Sequence, residues 1–251
     1  MTFKALVLAG TRPGGDRLSG HEGKSHKALI ELGEMTLLER VVAALHTAGA
    51  DQIAVSCDEG PVASEARRLG ADVIPPGTGP SESTAMAFDA LGLPLVVTTA
   101  DHALLRPDWV SDLIARTPGD ADLGVMMAER AQVEESLPGT RRTYLRFSDG
   151  EWSGCNLFYL RTSEARRAIE TWRAVEADRK RPWRIARRLG LATLLDYVLG
   201  RLSLAGGIEK LGAKIGVEAR LVRATSGLAA VDVDKPEDLV DVRRVLSEPA
   251  T

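Results

Sequence analysis

Residues 6–29 read LVLAGTRPGGDRLSGHEGKSHKAL, an apolar run followed by a loop rich in glycine and basic side chains. The apolar run predicts a buried first strand over Lys4–Leu8. Ligands of an open α/β sheet bind beyond the carboxyl ends of its strands, so we expect this loop at the ligand edge. Glycines let backbone N–H groups approach anionic oxygens, and basic side chains neutralise them. The stretch therefore favours a phosphate-binding loop, although a mobile surface loop can have the same composition.

Strand and helix patterns alternate through the residues that follow. Residues 35–49, MTLLERVVAALHTAG, place apolar side chains at helical spacing. Thr36 can cap this helix, and Glu39 completes a capping box. Residues 94–101, PLVVTTAD, are typical of a buried strand that ends in a carboxylate. This alternation predicts an α/β fold with a Rossmann-like, mostly parallel sheet flanked by helices.

The second half of the chain has a less regular pattern. Helices are predicted over Ser163–Ala177, Trp183–Leu199 and Ser203–Leu211. No repeat or low-complexity linker divides the chain, so we predict a single domain over residues 1–251. Its first half, residues 1–120, would bind a common ligand. Its second half, residues 121–251, would carry a helical insertion at about residues 163–215.

The composition and the lengths of the apolar stretches argue against several classes of protein. A net charge of −3 gives no support for a nucleic-acid-binding surface. Cys57 and Cys155 are too few for a disulfide framework and fit a reducing compartment. The N-terminus has no signal-peptide layout, and no stretch approaches the roughly 20 apolar residues of a membrane span. We therefore expect a cytoplasmic protein.

The phrase LVLAGTRPGG…KSHKALIELGEMTLLERVV resembles the signature of the MobA-like nucleotidyltransferases. Their pattern is a strand, LAGG-x-x-x-R-x-G, and a lysine followed by a short apolar strand and a helix. Thr11 stands where the second glycine usually is, and the loop before the lysine is longer. The resemblance covers nearly the whole chain, with specific motifs at residues 5–45, 77–105 and 231–239. It implies a GT-A-like nucleotidyltransferase fold, with a nucleotide-binding half and an acceptor-binding half.

The same resemblance assigns roles to the first loop. It implies that Arg12 and Lys27 are the catalytic cations on the phosphates. Lys27 is preferred to Lys24 because KALIEL is the phrase that follows the family's lysine, and the choice stays open. The loop residues expected to bind the nucleotide are Leu8, Ala9, Gly10, Thr11, Gly14 and Gly15.

Two acidic phrases are candidates for holding Mg²⁺, which binds through one or two carboxylates plus substrate phosphates. Asp101 ends a predicted strand, where it could instead cap a helix; its phrase ADHALL resembles the family's metal aspartate. The phrase AAVDVDKPEDL, residues 229–239, resembles the source of the second carboxylate. We favour Asp232, with Asp234 as a helix cap or outer-shell partner, and leave the choice open.

Two further segments resemble the family's substrate contacts. Residues 77–91, GTGPSESTAMAFDAL, resemble the segment that cradles the base and ribose, which implies contacts from Gly77, Gly79, Ser81 and Ser83. A turn followed by a helix N-cap would explain the same residues. Asn156, in SGCNLFYL, is implied to contact the acceptor, although it could merely end a turn.

Residues 161–190 carry ten arginines and lysines against four acidic residues. A solvated helix face explains such a run, and so does an anionic acceptor. Contact with a membrane surface is a less expected alternative.

Taken together, the motifs predict a Mg²⁺-dependent nucleotidyltransferase. A phosphorylated sugar, polyol or glycerate would attack the α-phosphorus of a nucleoside triphosphate, CTP or GTP, and release pyrophosphate. The alternatives are a molybdopterin cytidylyl- or guanylyltransferase, a GT-A-like glycosyltransferase and a non-catalytic nucleotide-binding regulator. The base, the acceptor and the oligomeric state stay open.

Overall fold

The computed structural model describes residues 2–11, 17–178 and 190–247. The strands are β1 Phe3–Leu8, β2 Glu31–Leu32, β3 Met35–Thr36, β4 Ala50–Ser56, β5 Asp72–Ile74, β6 Leu95–Thr99, β7 Leu123–Glu129, β8 Leu145–Phe147, β9 Gly150–Leu160 and β10 Ala219–Arg223. The helices are α1 Arg17–His21, α2 Leu37–Thr47, α3 Pro61–Arg68, α4 Pro80–Leu91, α5 Pro107–Arg116, α6 Arg130–Ser136, α7 Ala165–Ala177, α8 Leu191–Val198, α9 Leu204–Lys214 and α10 Pro236–Ser247.

The main sheet has the order β10-β7-β9-β6-β1-β4-β5, with β8 paired to β9. β1 runs parallel to both β4 and β6, whereas β9 runs antiparallel to β6 and β7. The predicted α/β fold with a mostly parallel sheet is confirmed. One sheet runs through both halves of the chain, and their division into a nucleotide half and an acceptor half stays a prediction.

Side chains of β1 alternate between the two faces of the sheet and so enter two different cores. Ala5 and Val7 belong to the larger core, which α2, α5 and α10 cover. Leu6 belongs to the smaller core, which α4 and α7 cover through Phe88 and Ile169, among others. The central strand is therefore buried on both sides, as its continuous apolar sequence predicts.

β9 is irregular near its middle. Its pairing with β7 shifts register between Val125 and Met127. Asn156 has φ 47°, in the left-handed region that non-glycine residues seldom adopt. On one side of this point β9 pairs with β8, and on the other side it pairs with β6. The irregularity lies near the carboxyl end of β6, which is the ligand edge.

Most predicted elements are found close to their expected positions. Thr36 accepts a hydrogen bond from the backbone N–H of Glu39 at 3.0 Å and so caps α2. The Glu39 carboxylate forms an ion pair with Arg68 of α3, at a distance of 3.2 Å. Residues 183–189 of the helix predicted over Trp183–Leu199 lie outside the described residues. Helix α6 was not predicted.

Within the described ranges, no helix has the length and apolar character needed to cross a bilayer.

Thr36→Ala should lower the free energy of unfolding by about 1 kcal/mol, because it removes the N-cap of α2. It also removes the 3.1 Å hydrogen bond from Thr36 to Glu65, which joins α2 to α3. Urea denaturation measures the change. Thr47→Ala is the matched control: its exposed hydroxyl donates back to the Ala43 carbonyl of the same helix, and its effect should stay within about 0.5 kcal/mol. Equal losses in both variants would contradict the assigned cap.

Candidate active site

The carboxyl ends of β1 and β6 lie side by side and begin the site. The backbone N–H of Ala100 donates to the carbonyl of Leu8 at 3.0 Å, so the first loop starts beside Asp101. Ala9 is buried at this edge, and Gly10 and Thr11 follow it on the surface. The predicted positions of Leu8 to Thr11 thus lie at the sheet's ligand edge.

Lys27 reaches two carboxylates from a short 3-10 turn, Lys27–Leu29. His26 holds this turn by accepting the backbone N–H of Ala28 at 3.0 Å. The Lys27 ammonium contacts Asp101 Oδ2 and lies 2.9 Å from Asp234 Oδ1. Burial alone would lower the pKa of Lys27, but the charges and hydrogen bonds of the two carboxylates raise it to about 12. Lys27 is therefore a fixed positive charge at neutral pH.

Asp101 is buried where β6 ends. Its side chain is 10% exposed, and its backbone carbonyl accepts the N–H of Val233 at 3.0 Å. This bond ties the C-terminal acidic segment to the end of β6. Within the part of the chain that the structure describes, the buried Oδ1 of Asp101 has no hydrogen-bond partner. A carboxylate oxygen of this kind can bind a cation or accept a hydrogen bond from a substrate.

The carboxylates of Asp232 and Asp234 bind different side chains. Arg142 Nη1 contacts Asp232 Oδ1, and Asn156 Nδ2 donates to Asp232 Oδ2 at 3.0 Å. Burial, followed by the nearby charge of Asp101, raises the pKa of Asp232, while Arg142 opposes the shift. The neighbouring Asp234 instead shares Lys27 with Asp101.

Asp238 and Arg142 are site residues that the sequence did not reveal. Asp238 Oδ2 accepts the backbone N–H groups of Asp234 and Lys235, each at 2.9 Å, before α10 begins. Arg142 Nη2 lies 3.2 Å from Asp238 Oδ1. A sequence signal for Asp238 existed, because it lies in the first turn of a predicted helix. Arg142 carries no local sequence pattern that marks it.

The cluster carries an excess of negative charge. Among the described residues, two cations, Lys27 and Arg142, face four carboxylates in it, those of Asp101, Asp232, Asp234 and Asp238. Such a site attracts a further cation. Lys24, the alternative lysine, instead forms a 2.6 Å ion pair with Glu31 and does not join this cluster.

The segment before α4 lies next to the first loop. A Cβ placed on Gly10 would lie 4.0 Å from Pro76 Cβ, so the two backbones run close together. The N–H of Gly77 donates to Ser83 Oγ at 2.9 Å. A Cβ on Gly77 would lie 2.5 Å from Glu82 Cγ, so only glycine fits the turn. The predicted nucleotide segment and the first loop therefore share one edge.

Helix α7 contacts Gly79 and the first turn of α4 with two side chains that sequence reasoning missed. Ser81 Oγ donates to Glu176 Oε2, and a Cβ on Gly79 would lie 3.0 Å from the same oxygen. One turn earlier, Arg173 Nη2 lies 2.9 Å from Glu82 Oε1. The Ser81 hydroxyl is thus already bound by an acidic side chain of the second half.

The basic run at residues 161–190 divides into two parts. The described basic residues all have partners, which are the Ala121 carbonyl for Arg161, Asp89 for Arg166, the Gly216 carbonyl for Arg167 and Glu82 for Arg173. These contacts fit the interpretation as a solvated, paired helix face. Residues 179–189 lie outside the described residues, as do Arg12, Gly14 and Gly15 of the first loop.

Residues 5–192 match the MobA-like NTP transferase domain. The chain belongs to this family. It is accordingly a nucleotidyltransferase, as its first loop and its two acidic phrases predict. No protein of curated function matches the chain in sequence.

Several solved structures are similar to this chain. A hypothetical transferase from Thermus thermophilus is 32% identical, with a TM-score of 0.82 over 95% of this chain and 100% of that one. The 2-C-methyl-D-erythritol 4-phosphate cytidylyltransferase of Thermus thermophilus is 18% identical, with a TM-score of 0.54 over 98% of each chain. A CMP:2-keto-3-deoxy-manno-octonic acid synthetase, solved with CTP, is 16% identical, with a TM-score of 0.58 over 97% of this chain and 98% of that one. The last two show a common fold.

His102, directly after Asp101, is a buried neutral histidine. It is 1% exposed, and its Nδ1 lies 3.3 Å from Thr98 Oγ1. Burial lowers its pKa from 6.5 to about 4. Between these values the unfolded chain binds a proton that the folded chain does not, so stability falls as the pH falls.

His102→Asn should remove this dependence. Between pH 7 and pH 4 the wild type should lose up to about 3 kcal/mol more unfolding free energy than the variant, at about 1.4 kcal/mol for each pH unit of the shift. Urea denaturation at a series of pH values measures both. Parallel profiles for the two proteins would contradict a buried neutral His102.

Proposed function

We propose that this nucleotidyltransferase transfers a nucleoside monophosphate from CTP or GTP to a small phosphorylated acceptor, such as a sugar, polyol or glycerate phosphate, and releases pyrophosphate. Two of the similar structures are named for cytidylyl chemistry or for a complex with CTP, which favours CTP. We also propose that the protein acts in the cytoplasm.

The observation that carries this proposal is the position of Lys27. Its charged ammonium lies between Asp101 and Asp234 where β1 and β6 end and the first loop begins. A triphosphate in that loop would meet a permanent cation and, next to it, carboxylates able to hold a metal. This arrangement suits phosphoryl chemistry, in which positioning and charge neutralisation carry most of the catalysis.

In the proposed reaction an oxygen of the acceptor phosphate attacks the α-phosphorus of the triphosphate. The new P–O bond forms as the bond to the bridging oxygen of pyrophosphate breaks, and no side chain becomes covalently attached. Lys27 and the N–H groups of the first loop would donate to phosphate oxygens and stabilise the departing pyrophosphate. Arg12, Gly14 and Gly15 are proposed to share this task.

The cluster fits a magnesium ion. Asp101 Oδ1 is a buried hard-oxygen donor, and Asp234 shares a cation with Asp101 already. We propose these two as the metal ligands, in place of Asp101 and Asp232, because Arg142 and Asn156 already bind both Asp232 oxygens. In the described ranges no three His, Cys, Asp or Glu side chains converge as a metal site, and Mg²⁺ takes its other ligands from substrate phosphates and water. When bound, Mg²⁺ would neutralise triphosphate charge.

The remaining proposed contacts lie around this centre. Gly77 and Gly79 would present their backbones to the base and ribose, with Ser81 and Ser83 shaping that segment through Glu176 and the Gly77 N–H. Asn156, which borders the cluster through Asp232, remains the proposed acceptor contact.

Pyrophosphate release tests the function directly. The protein would be incubated with Mg²⁺, each of CTP, GTP, UTP and ATP, and a panel of sugar, polyol and glycerate phosphates. Release that needs both CTP or GTP and one acceptor is the expected result. Triphosphate hydrolysis without an acceptor, or no triphosphate binding at all, would contradict the proposal.

Lys27→Ala and Asp101→Asn should each lower kcat by about 10²–10³, because each removes a preorganised charge at the reacting phosphates. Lys24→Ala is the matched control: it removes an equal charge only a few residues away, on a side chain paired with Glu31. Its kcat should stay near that of the wild type. A Lys24→Ala loss as large as that of Lys27→Ala would show that the wrong lysine has been assigned.

A further inference from the structure

Arg142 joins the two ends of the C-terminal acidic segment, residues 232–238. It lies between α6 and β8, and its side chain is only 7% exposed. Its Nη1 contacts Asp232 Oδ1, while its Nη2 lies 2.8 Å from the Asp232 carbonyl oxygen and 3.2 Å from Asp238 Oδ1. A planar guanidinium can meet three acceptors in one fixed geometry, which the single ammonium of lysine does not reproduce.

These contacts hold the backbone on both sides of Asp234. Asp238, which Arg142 binds, accepts the backbone N–H of Asp234 itself at 2.9 Å. On the other side, the N–H of Val233 bonds to the Asp101 carbonyl at 3.0 Å. Asn156 completes the frame by holding the second oxygen of Asp232. The Asp234 carboxylate projects from this frame towards Lys27.

The strained backbone of Asn156 supports the view that the frame is functional. A non-glycine residue at φ 47° costs free energy, and such residues cluster at functional sites. Here the conformation accompanies a side chain whose amide binds Asp232.

We propose that Arg142 is a positioning residue that sets the Asp234 carboxylate for the Mg²⁺–triphosphate complex, and that it acts through the shape of its guanidinium and not by charge alone. This inference rests on the proposed function, in which Asp101 and Asp234 hold the metal. Partners that orient metal-binding side chains typically change metal affinity by about 10–100-fold when they are replaced.

The test measures binding, separately from turnover. Isothermal titration calorimetry would give the Kd of CTP, or of GTP if that is the substrate, in EDTA and across a series of Mg²⁺ concentrations. Arg142→Met and Arg142→Lys should both raise the half-saturating Mg²⁺ concentration by about 10-fold or more. The Kd in EDTA should change little, because the described contacts of Arg142 are with the carboxylates of Asp232 and Asp238 and the carbonyl of Asp232.

Arg146→Met is the matched control. Arg146 lies four residues further along, is 82% exposed and pairs with the carboxylate of Glu151 at 2.6 Å. Its replacement should leave the Mg²⁺ response unchanged. Thermal melting of every variant separates lost stability from lost metal response.

Asp238→Asn provides a second variant if Arg142→Met does not fold. It removes the charge that Arg142 binds and keeps one acceptor oxygen for the backbone. The half-saturating Mg²⁺ concentration should rise here too. A wild-type Mg²⁺ response in Asp238→Asn or in folded Arg142→Met, even with a lowered melting temperature, would overturn the inference. A wild-type response in Arg142→Lys would overturn the role of guanidinium shape.

The two proposals fail in different ways. A wild-type protein that binds neither CTP nor GTP would remove both. Mg²⁺-dependent binding and turnover in the wild type, with the same Mg²⁺ response in all folded variants, would leave the proposed function standing and remove only the role of Arg142.

Discussion

The ligand edge of this protein depends on one ammonium group held between two carboxylates. Lys27 comes from the turn after the first loop, Asp101 from the end of β6, and Asp234 from the segment before α10. Carboxylates this close repel one another in a partly buried site unless a cation lies between them. The Lys27 charge therefore allows three distant parts of the chain to meet at one point.

A second cation neutralises carboxylates at the other side of the cluster. Arg142 compensates Asp232 and Asp238, and the backbone hydrogen bond from the Val233 N–H to the Asp101 carbonyl links the two sides. Both cationic side chains are largely shielded from water: Lys27 is 19% exposed and Arg142 is 7% exposed. The site is thus a network in which each charge is held by groups from a different segment, and removing one partner leaves another charge buried and unpaired.

Local sequence was sufficient for much of this architecture. The continuous apolar residues of β1 and β6 predict strands buried on both faces, and the spacing of apolar residues in α2 predicts its amphipathic face. Asp101 could be placed at the ligand edge because parallel strands in such sheets share one ligand-binding end. These features depend on neighbours a few residues away, which is why the sequence reveals them.

The directions of Asp232 and Asp234 could not be read in the same way. Both lie in one short extended run, yet they bind different cations. Asp232 binds Arg142, which is distant in sequence, and Asp234 binds Lys27, which is at the opposite end of the chain. The same holds for Glu176, whose partner Ser81 was expected to contact the nucleotide or to cap a helix. The antiparallel entry of β9 and the left-handed Asn156 are also tertiary features, since they depend on which strands flank β9.

The contacts of α7 with the start of α4 have a thermodynamic consequence. Glu176 and Arg173 belong to the helical second half, but they hold Ser81 and Glu82 of the first. If a ligand of either half displaces α7, it changes the free energy of both sets of contacts together. Linkage then requires reciprocity: the factor by which one substrate alters the affinity of the other is the same in either order of binding. In that case two side chains on one turn of helix would couple the two binding equilibria.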